Sequence, residues 1–481
     1  MMRALYSGVS GLRVHQTKMD VIGNNIANVN TVGFKSSSVT FSDILYQTTS
    51  AATGPNATTG AAGINAMQIG LGANVASITT KITGTGGSQR TDGWSDLMIE
   101  GDSFFVVNSN GSNYFTKAGS FNVDANGNLC TPSGALVMGW QVSPDDPSSC
   151  KSDNVSALRV MAPDNLFSEP EATTNVYLKG NIDQNDTQIA FEADGRLANI
   201  QFYDNLGNLY TAALNVKQNE DPEETNVYSV TVSNVFNEKG ESVFVSKTVE
   251  EDGTITYGPS TITSVSFGGS DYEAEVNEET GEVTIEMDGV PLEFNASSGR
   301  FVQVGEEEGG TSVNFNLVSD GGPFVPIDVD FSKLTMFSQS GTTNLEGVKG
   351  DIAKGAGAGK PVGNMSGITI DKIGKIYGTY DNGDQILLGQ IVVAKFANPA
   401  GLESIGNNMY AVTQNSGEFD GIGKDISSTG GKFNTGVLEM SNVDLANEFT
   451  EMITTQRGFQ ANSRIITTSD TILEELINLK R

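Results

Sequence analysis

SNVDLANEFTEMITTQRGFQANSRIITTSDTILEELINL, from Ser441 to Leu479, sets the reading of the whole chain. Leu445, Phe449, Met452, Gln456, Phe459, Ser463, Ile466, Asp470, Leu473 and Ile477 recur at alternating spacings of three and four. That spacing keeps returning to one helix face and makes a seam of the coiled-coil kind. Only Gly458 interrupts it, and no proline does. Ser441 with Asp444 three residues on has the form of a capping box, which places the start of the helix there.

A second seam lies at the other end. Leu5, Val9, Leu12, Gln16, Met19, Gly23 and Ile26 keep the same spacing, weakened by Ser10, Gly11 and Gly23. Within MDVIGNNIANVNTVGFK, Met19 to Lys35, the pattern gives way to asparagine. Asn24, Asn25, Asn28, Asn30 and Gly33 are read as a helix end and outward turn, because asparagine caps locally and tolerates left-handed backbone. Short helices are marginal without a packing partner. The two are expected to pair and to offer their remaining apolar surface to other copies. The assembly residues are then Leu5, Val9, Leu12, Met19, Ile26, Leu445, Phe449, Met452, Phe459, Ile466, Leu473 and Ile477.

Between the helices the pattern becomes β. TTSAATGPNATTGAAG lies in a Gly, Ala, Thr and Asn stretch without charge until Lys81, and reads as linker or extended loop. From Asp96 short alternating runs are punctuated by Asn110-Gly111 and Asn126-Gly127, both hairpin signals. Acidic runs concentrate between Glu220 and Glu308, in turns of a β region whose strands alternate. Ile368 to Phe396 echoes Ile189 to Tyr210, each with a Tyr-Asp-Asn turn, and Gly-Asn-Asn occurs at both Gly23 and Gly406. The expected fold is mixed but mainly β. Terminal amphipathic helices form a coiled-coil-like core element around nested all-β domains. The segments are an assembly helix over 1–40, a linker over 41–88, an inner β domain shared by 89–150 and 331–435, an acidic outer β region inserted over 151–330, and a second assembly helix over 436–481.

The bulk numbers limit function. Of 481 residues, 28 are basic and 58 acidic, for a net charge of −30, which repels nucleic acid and anionic membrane. Hydrophobic residues at 37% and aromatics at 8% suffice for packed cores, and 56 glycines suit a turn-rich chain. There is no apolar run long enough to cross a membrane and no secretory signal. By ordinary rules such a chain stays in the cytoplasm, although an export route without cleavage leaves no mark.

Catalytic and cofactor motifs do not assemble. Asp124, Asn126 and Asn128 resemble the start of a calcium loop, but Leu129 replaces its glycine and Ala135 its glutamate, so a β-turn is expected. KGAGAGKP, from Lys354, has Lys354 where a phosphate loop needs glycine and Pro361 after Lys360. GLGANV, from Gly70, lacks the βαβ setting of a dinucleotide loop. His15, the single histidine, is read as polar helix surface. Cys130 and Cys150 could close one disulfide or remain two free thiols. No catalytic residue, metal site or cofactor is expected.

ALYSGVSGLRVHQTKMDVIGNNIANVNTVGFKSS (Ala4–Ser37), GNNMYAVTQNSG (Gly406–Gly417) and Gly436 to Leu479 resemble the signatures of the flagellar rod and hook protein family. The resemblance implies a structural subunit, not an enzyme. Many copies would form a curved, flexible tube joining motor to filament, with the terminal helices as inner wall and the β domains outside. It further implies export by the flagellar type III apparatus and location on the flagellum outside the cell. The partners implied are copies of itself, the distal rod protein, the hook cap and the hook–filament junction proteins, without nucleic acid or membrane insertion. Two other readings are a distal rod-type axial protein and a secreted β-rich adhesin that binds glycans.

Overall fold

The computed structural model describes residues 2–55, 60, 62–144, 146–219, 226–249, 255–305, 307–319 and 322–479. Much of the acidic runs at 220–225 and 250–254 therefore lies outside the described residues. Two compact units divide the chain. The first comprises Met1–Leu166, Ser366–Thr379 and Gln385–Arg481, and the second Phe167–Met365 and Tyr380–Asp384.

In the first unit, helix α1 (Met2–Ala27) packs on helix α2 (Leu445–Asn478). Asp444, not Ser441, caps α2: its side chain accepts from the backbone N–H of Ala446 and Asn447. A carboxylate there also faces the positive end of the helix dipole. Ser441 is instead buried just upstream.

Parts of the segment over 41–88 read as linker are β ribbon, while of TTSAATGPNATTGAAG residues 56–59 and 61 lie outside the described residues. Ser37–Asp43 pairs antiparallel with Ala73–Thr80, and Tyr46–Ser50 with Met67–Gly70. Its Thr, Val, Ile and Phe residues favour extended backbone, and cross-strand pairs such as Thr40 with Ser77 supply hydroxyl hydrogen bonds. Small-residue composition had masked that pattern.

The inner sheet runs in the order Lys375–Tyr380, Gln385–Ile391, Leu136–Trp140, Phe104–Ser109, Ser112–Thr116, Met409–Ala411 and Glu403–Gly406. Its strands come from both sides of the second unit in sequence, as a nested architecture requires. Phe104, Val106, Phe115, Trp140, Val392, Phe396 and Tyr410 form its core, with Phe115 edge-on to Phe396 at 4.7 Å. Asn110 and Gly111, at φ of 52° and 82°, make the two-residue turn between Ser109 and Ser112. The Asp124 carboxylate accepts from Asn126 N, Asn128 N and Asn128 Nδ2, so the turn itself uses the oxygens a cation would need.

Cys130 and Cys150 are free thiols. Each is held in its own ladder, Cys130 against Asn122 and Leu136 and Cys150 against Val142, so the pairing considered from sequence does not form.

The second unit packs two sheets around one core. One sheet contains Asn175–Asn181, Ser312–Ser319 and Ile327–Thr335; the other contains Arg196–Tyr203, Leu209–Gln218 and Val227–Asn237. Ile200, Leu214, Val230, Leu292, Phe315, Val329 and Phe331 are buried between them. Asn175–Asn181 lies parallel to Ile327–Thr335 and antiparallel to Asn344–Lys349, which carries this unit beyond Asp330. Phe167 pairs with Asn364, so the chain enters and leaves the unit side by side. Lys360, of the glycine-rich stretch, is ion-paired with Asp384.

Candidate assembly interface

The two helices run antiparallel, and their shared seam is made of small and polar residues. A Cβ placed on Gly8 would lie 3.2 Å from Ile466, one on Gly11 2.6 Å from Asn462, and one on Gly458 2.7 Å from the His15 ring. Thr455 and Ser469 are buried on the α2 side. Such residues let the helix axes approach closely, and each added methyl group would have to displace a neighbour. His15 is thus not simple surface: Gly458 makes room for its ring, which also meets Phe41 edge-on at 5.9 Å. Burial and the Lys18 charge push the imidazole below its ordinary range. Lys18 pairs with Glu451 at 3.0 Å.

This seam is offset from the one drawn from sequence. Met452, Phe459, Ile466 and Leu473 are half-buried, and so are Leu5, Leu12, Met19 and Ile26. Val9, Leu445, Phe449 and Ile477 point to solvent in the single chain, with Phe449 50% and Ile477 67% exposed. Ile453, Ile465, Ile472, Leu476 and Leu479 join them outside. The large apolar side chains of α2 are therefore divided between two faces: Met452, Phe459, Ile466 and Leu473 lie half-buried with the small residues of the seam, and the others are exposed.

At the base of the pair the asparagines take up specific tasks. Asn25 is buried; its Nδ2 donates to Ser37 O and Glu448 Oε1, and its Oδ1 accepts from Ser37 N. One side chain thereby ties α1, the returning strand and the start of α2. Asn28 Nδ2 donates to Asn24 O and Oδ1, closing the last turn, while Asn30 is exposed. The left-handed backbone expected of these asparagines falls on Gly33, at φ 70°, where a Cβ would lie 2.7 Å from Ala118 N. The second Gly-Asn-Asn does use left-handed asparagines, Asn407 and Asn408, and Asn408 Nδ2 donates to Val32 O.

Beneath lies a buried charge cluster that the sequence reading missed. Lys35 Nζ donates to Glu439 Oε1 at 2.6 Å and to Gly84 O at 2.7 Å, with both side chains 1% exposed. Gly86 N donates to the same Glu439 oxygen, and Gly33 N to the Glu439 carbonyl. Lys117 is buried nearby, donating to Gly101 O at 2.7 Å. Only the position of Lys35 inside an apolar-to-asparagine motif, and of Glu439 just ahead of α2, hinted at this. Burial pushes Tyr410 up to about 12, and the Glu439 charge adds to that.

Burial also pushes Lys117 down to about 8, against the pull of Glu439. Because the unfolded chain keeps its proton to higher pH, stability contributed through Lys117 rises as pH climbs from about 8 toward 10. Lys117→Met is expected to remove that rise and to stabilise the protein at pH 7 by roughly 1–2 kcal/mol, read by denaturant unfolding across the pH range.

Three family models match the chain. That described as Flagella basal body rod protein covers residues 5–35, Flagellar hook protein FlgE/F/G D1 domain residues 98–199, and Flagellar basal body rod FlgEFG protein C-terminal residues 434–479. The flagellar hook protein FlgE of Borreliella burgdorferi is 36% identical over 488 aligned residues, covering 100% of both chains. That of Treponema pallidum is 36% identical, again over 100% of both. The flagellar basal-body rod protein FlgG of Bacillus subtilis is 28% identical over 100% of both.

Proposed function

The chain belongs to the flagellar hook and rod protein family as a hook-type axial structural protein, not an enzyme, and from that premise we propose that many copies polymerise into a curved, flexible tube coupling motor to filament. The observation that carries this is the outward turn of Phe449, Ile453, Ile465, Ile472 and Leu476 on a helix whose inner seam is small and polar. A lone chain gains nothing from that arrangement, whereas a neighbour covering those residues gains burial worth roughly 1.5–3 kcal/mol for each side chain fully covered. Contacts between unlike surfaces propagate into helical arrays where the rotation between copies does not close a ring.

In this reading the helix pairs line the tube and the acidic second unit lies outside, keeping exported subunits soluble through mutual repulsion. Its partners are further copies, the distal rod protein, the hook cap, the hook–filament junction proteins and the export apparatus. Its place is the hook, outside the cell after export. The Leu5, Leu12, Met19, Ile26, Met452, Phe459, Ile466, Leu473 and Ile477 side chains would change surroundings or become covered on assembly.

Electron microscopy of the concentrated full-length protein is the test. Curved tubes with a central channel are expected. Straight, rigid tubes would favour the rod-type reading, which the likeness to the Bacillus subtilis rod protein keeps as the second choice. A protein that stays monomeric at every concentration would refute both.

A further inference from the structure

A groove of about 490 Å³ runs beside α1, bounded by Arg3, Tyr6, Val9 and Arg13 on the helix and by Ile44 and Leu71 on the ribbon. Its walls are unusual in this chain for being basic. α1 carries Arg3, Arg13 and Lys18 against one acid, Asp20, in a protein of net charge −30. Lys18 is taken by Glu451, but neither Arg3 nor Arg13 has an ion-pair partner among the described residues.

The far end of α2 has the opposite character. Ile465, Ile472, Leu476 and Leu479 are spaced to fall on one stripe, and all are at least 44% exposed. Asp470, Glu474 and Glu475 accompany them, with no basic residue between Ile465 and Leu479; Lys480 and Arg481 follow. None of these three acids is ion-paired among the described residues. The α1–α2 register, Gly8 against Ile466 and His15 against Gly458, carries Met2 to the neighbourhood of Asp470. Beyond that point α2 runs on without α1 beside it. The end of α2 lies past the level of Val9 in its own chain. Val9 lies near the level of Ile466, and Leu476 is ten residues farther along, roughly 15 Å at the helical rise.

We propose that the α2 segment from Ile465 to Leu479 of one copy seats in the α1–ribbon groove of another, with its apolar stripe against Tyr6, Val9 and Leu71 and its acids facing Arg3 and Arg13. This rests on the reading of the chain as a self-polymerising subunit and names the two surfaces that meet. The contact joins unlike surfaces, so it extends along an array. Charge pairing sets which way round the copies join, and apolar burial holds them.

The test uses full-length protein with Cys130→Ser and Cys150→Ser, mixing copies that carry Val9→Cys with copies that carry Leu476→Cys. Oxidation of the assembled mixture should give a covalent dimer on denaturing gels, absent when either variant is assembled alone. Polymers that form without that dimer would overturn the groove assignment and leave the tube-forming reading intact. Failure of the unsubstituted protein to polymerise would remove both. As a second measurement, Arg3→Glu with Arg13→Glu should raise the concentration needed for assembly at least tenfold, as should Glu474→Lys with Glu475→Lys. Mixing these two variants should recover assembly in part, and combining all four changes in one chain should restore it. A four-fold variant no better than either pair would count against the proposal even if the cysteine variants assembled poorly.

Discussion

Glu439→Ala is expected to lower the stability of the first unit by about 3–5 kcal/mol, because it leaves Lys35 charged, buried and unpaired. The two side chains are 1% exposed and 2.6 Å apart, so water cannot replace the lost carboxylate without opening the site. Gly86 N loses its acceptor at the same time, and the strand Val437–Glu439, paired with Ser88–Arg90, loses the anchor next to it. The helices leave from this place: Lys35 follows α1 by eight residues and Glu439 precedes α2 by six, so loosening the pair should loosen both helix bases. A denaturant midpoint followed by tryptophan emission of Trp94 and Trp140, both in the first unit, reads this directly. The double change Lys35→Met with Glu439→Leu removes both charges and should cost far less than either single change, since apolar replacements of a buried pair are often close to neutral. A single Glu439→Ala change costing under about 1 kcal/mol would show that the cluster is hydrated in solution and does not hold the helix bases.

Much of the architecture was legible because it follows from periodicity. The three-and-four spacing marks α1 and α2, Asn110-Gly111 marks its hairpin, and alternation marks strands such as Val227–Asn237, whose buried Tyr228, Val230, Val232 and Val235 fill the second core. The seam between α1 and α2 was only half legible. Sequence periodicity weights large apolar residues, and here the large ones Phe449 and Ile477 face out while Gly8, Gly11 and Gly458 face in. A helix pair that must both close on itself and present a surface to neighbours needs two faces, and size, not hydrophobicity alone, assigns them. The ribbon strands between Ser37 and Thr80 were obscured for a related reason: all four face solvent for much of their length and need few large residues. The Lys35–Glu439 pair spans 404 positions, a separation over which no local pattern carries information.

The combination Phe449→Asp with Ile453→Asp should separate folding from assembly. Both side chains are at least half exposed on α2, so the monomer should keep its stability within about 0.5 kcal/mol. Helicity should also persist, since Asp444 still caps the helix and the inner seam at Thr455 and Gly458 is untouched. In a polymer the same positions would bury apolar surface against a neighbour. Losing that burial, roughly 2 kcal/mol for each side chain, and placing two carboxylates there instead should raise the critical concentration by about 100-fold or more. Sedimentation of concentrated protein and motility of cells carrying the variant would report it, the first as loss of pelletable tubes and the second as loss of swimming. Thermal unfolding of the same sample keeps the two effects apart. Unchanged melting with lost tubes supports an interface made by the outward face of α2. Normal tubes from the variant would show that this face meets solvent in the polymer too, and that subunits join through other surfaces.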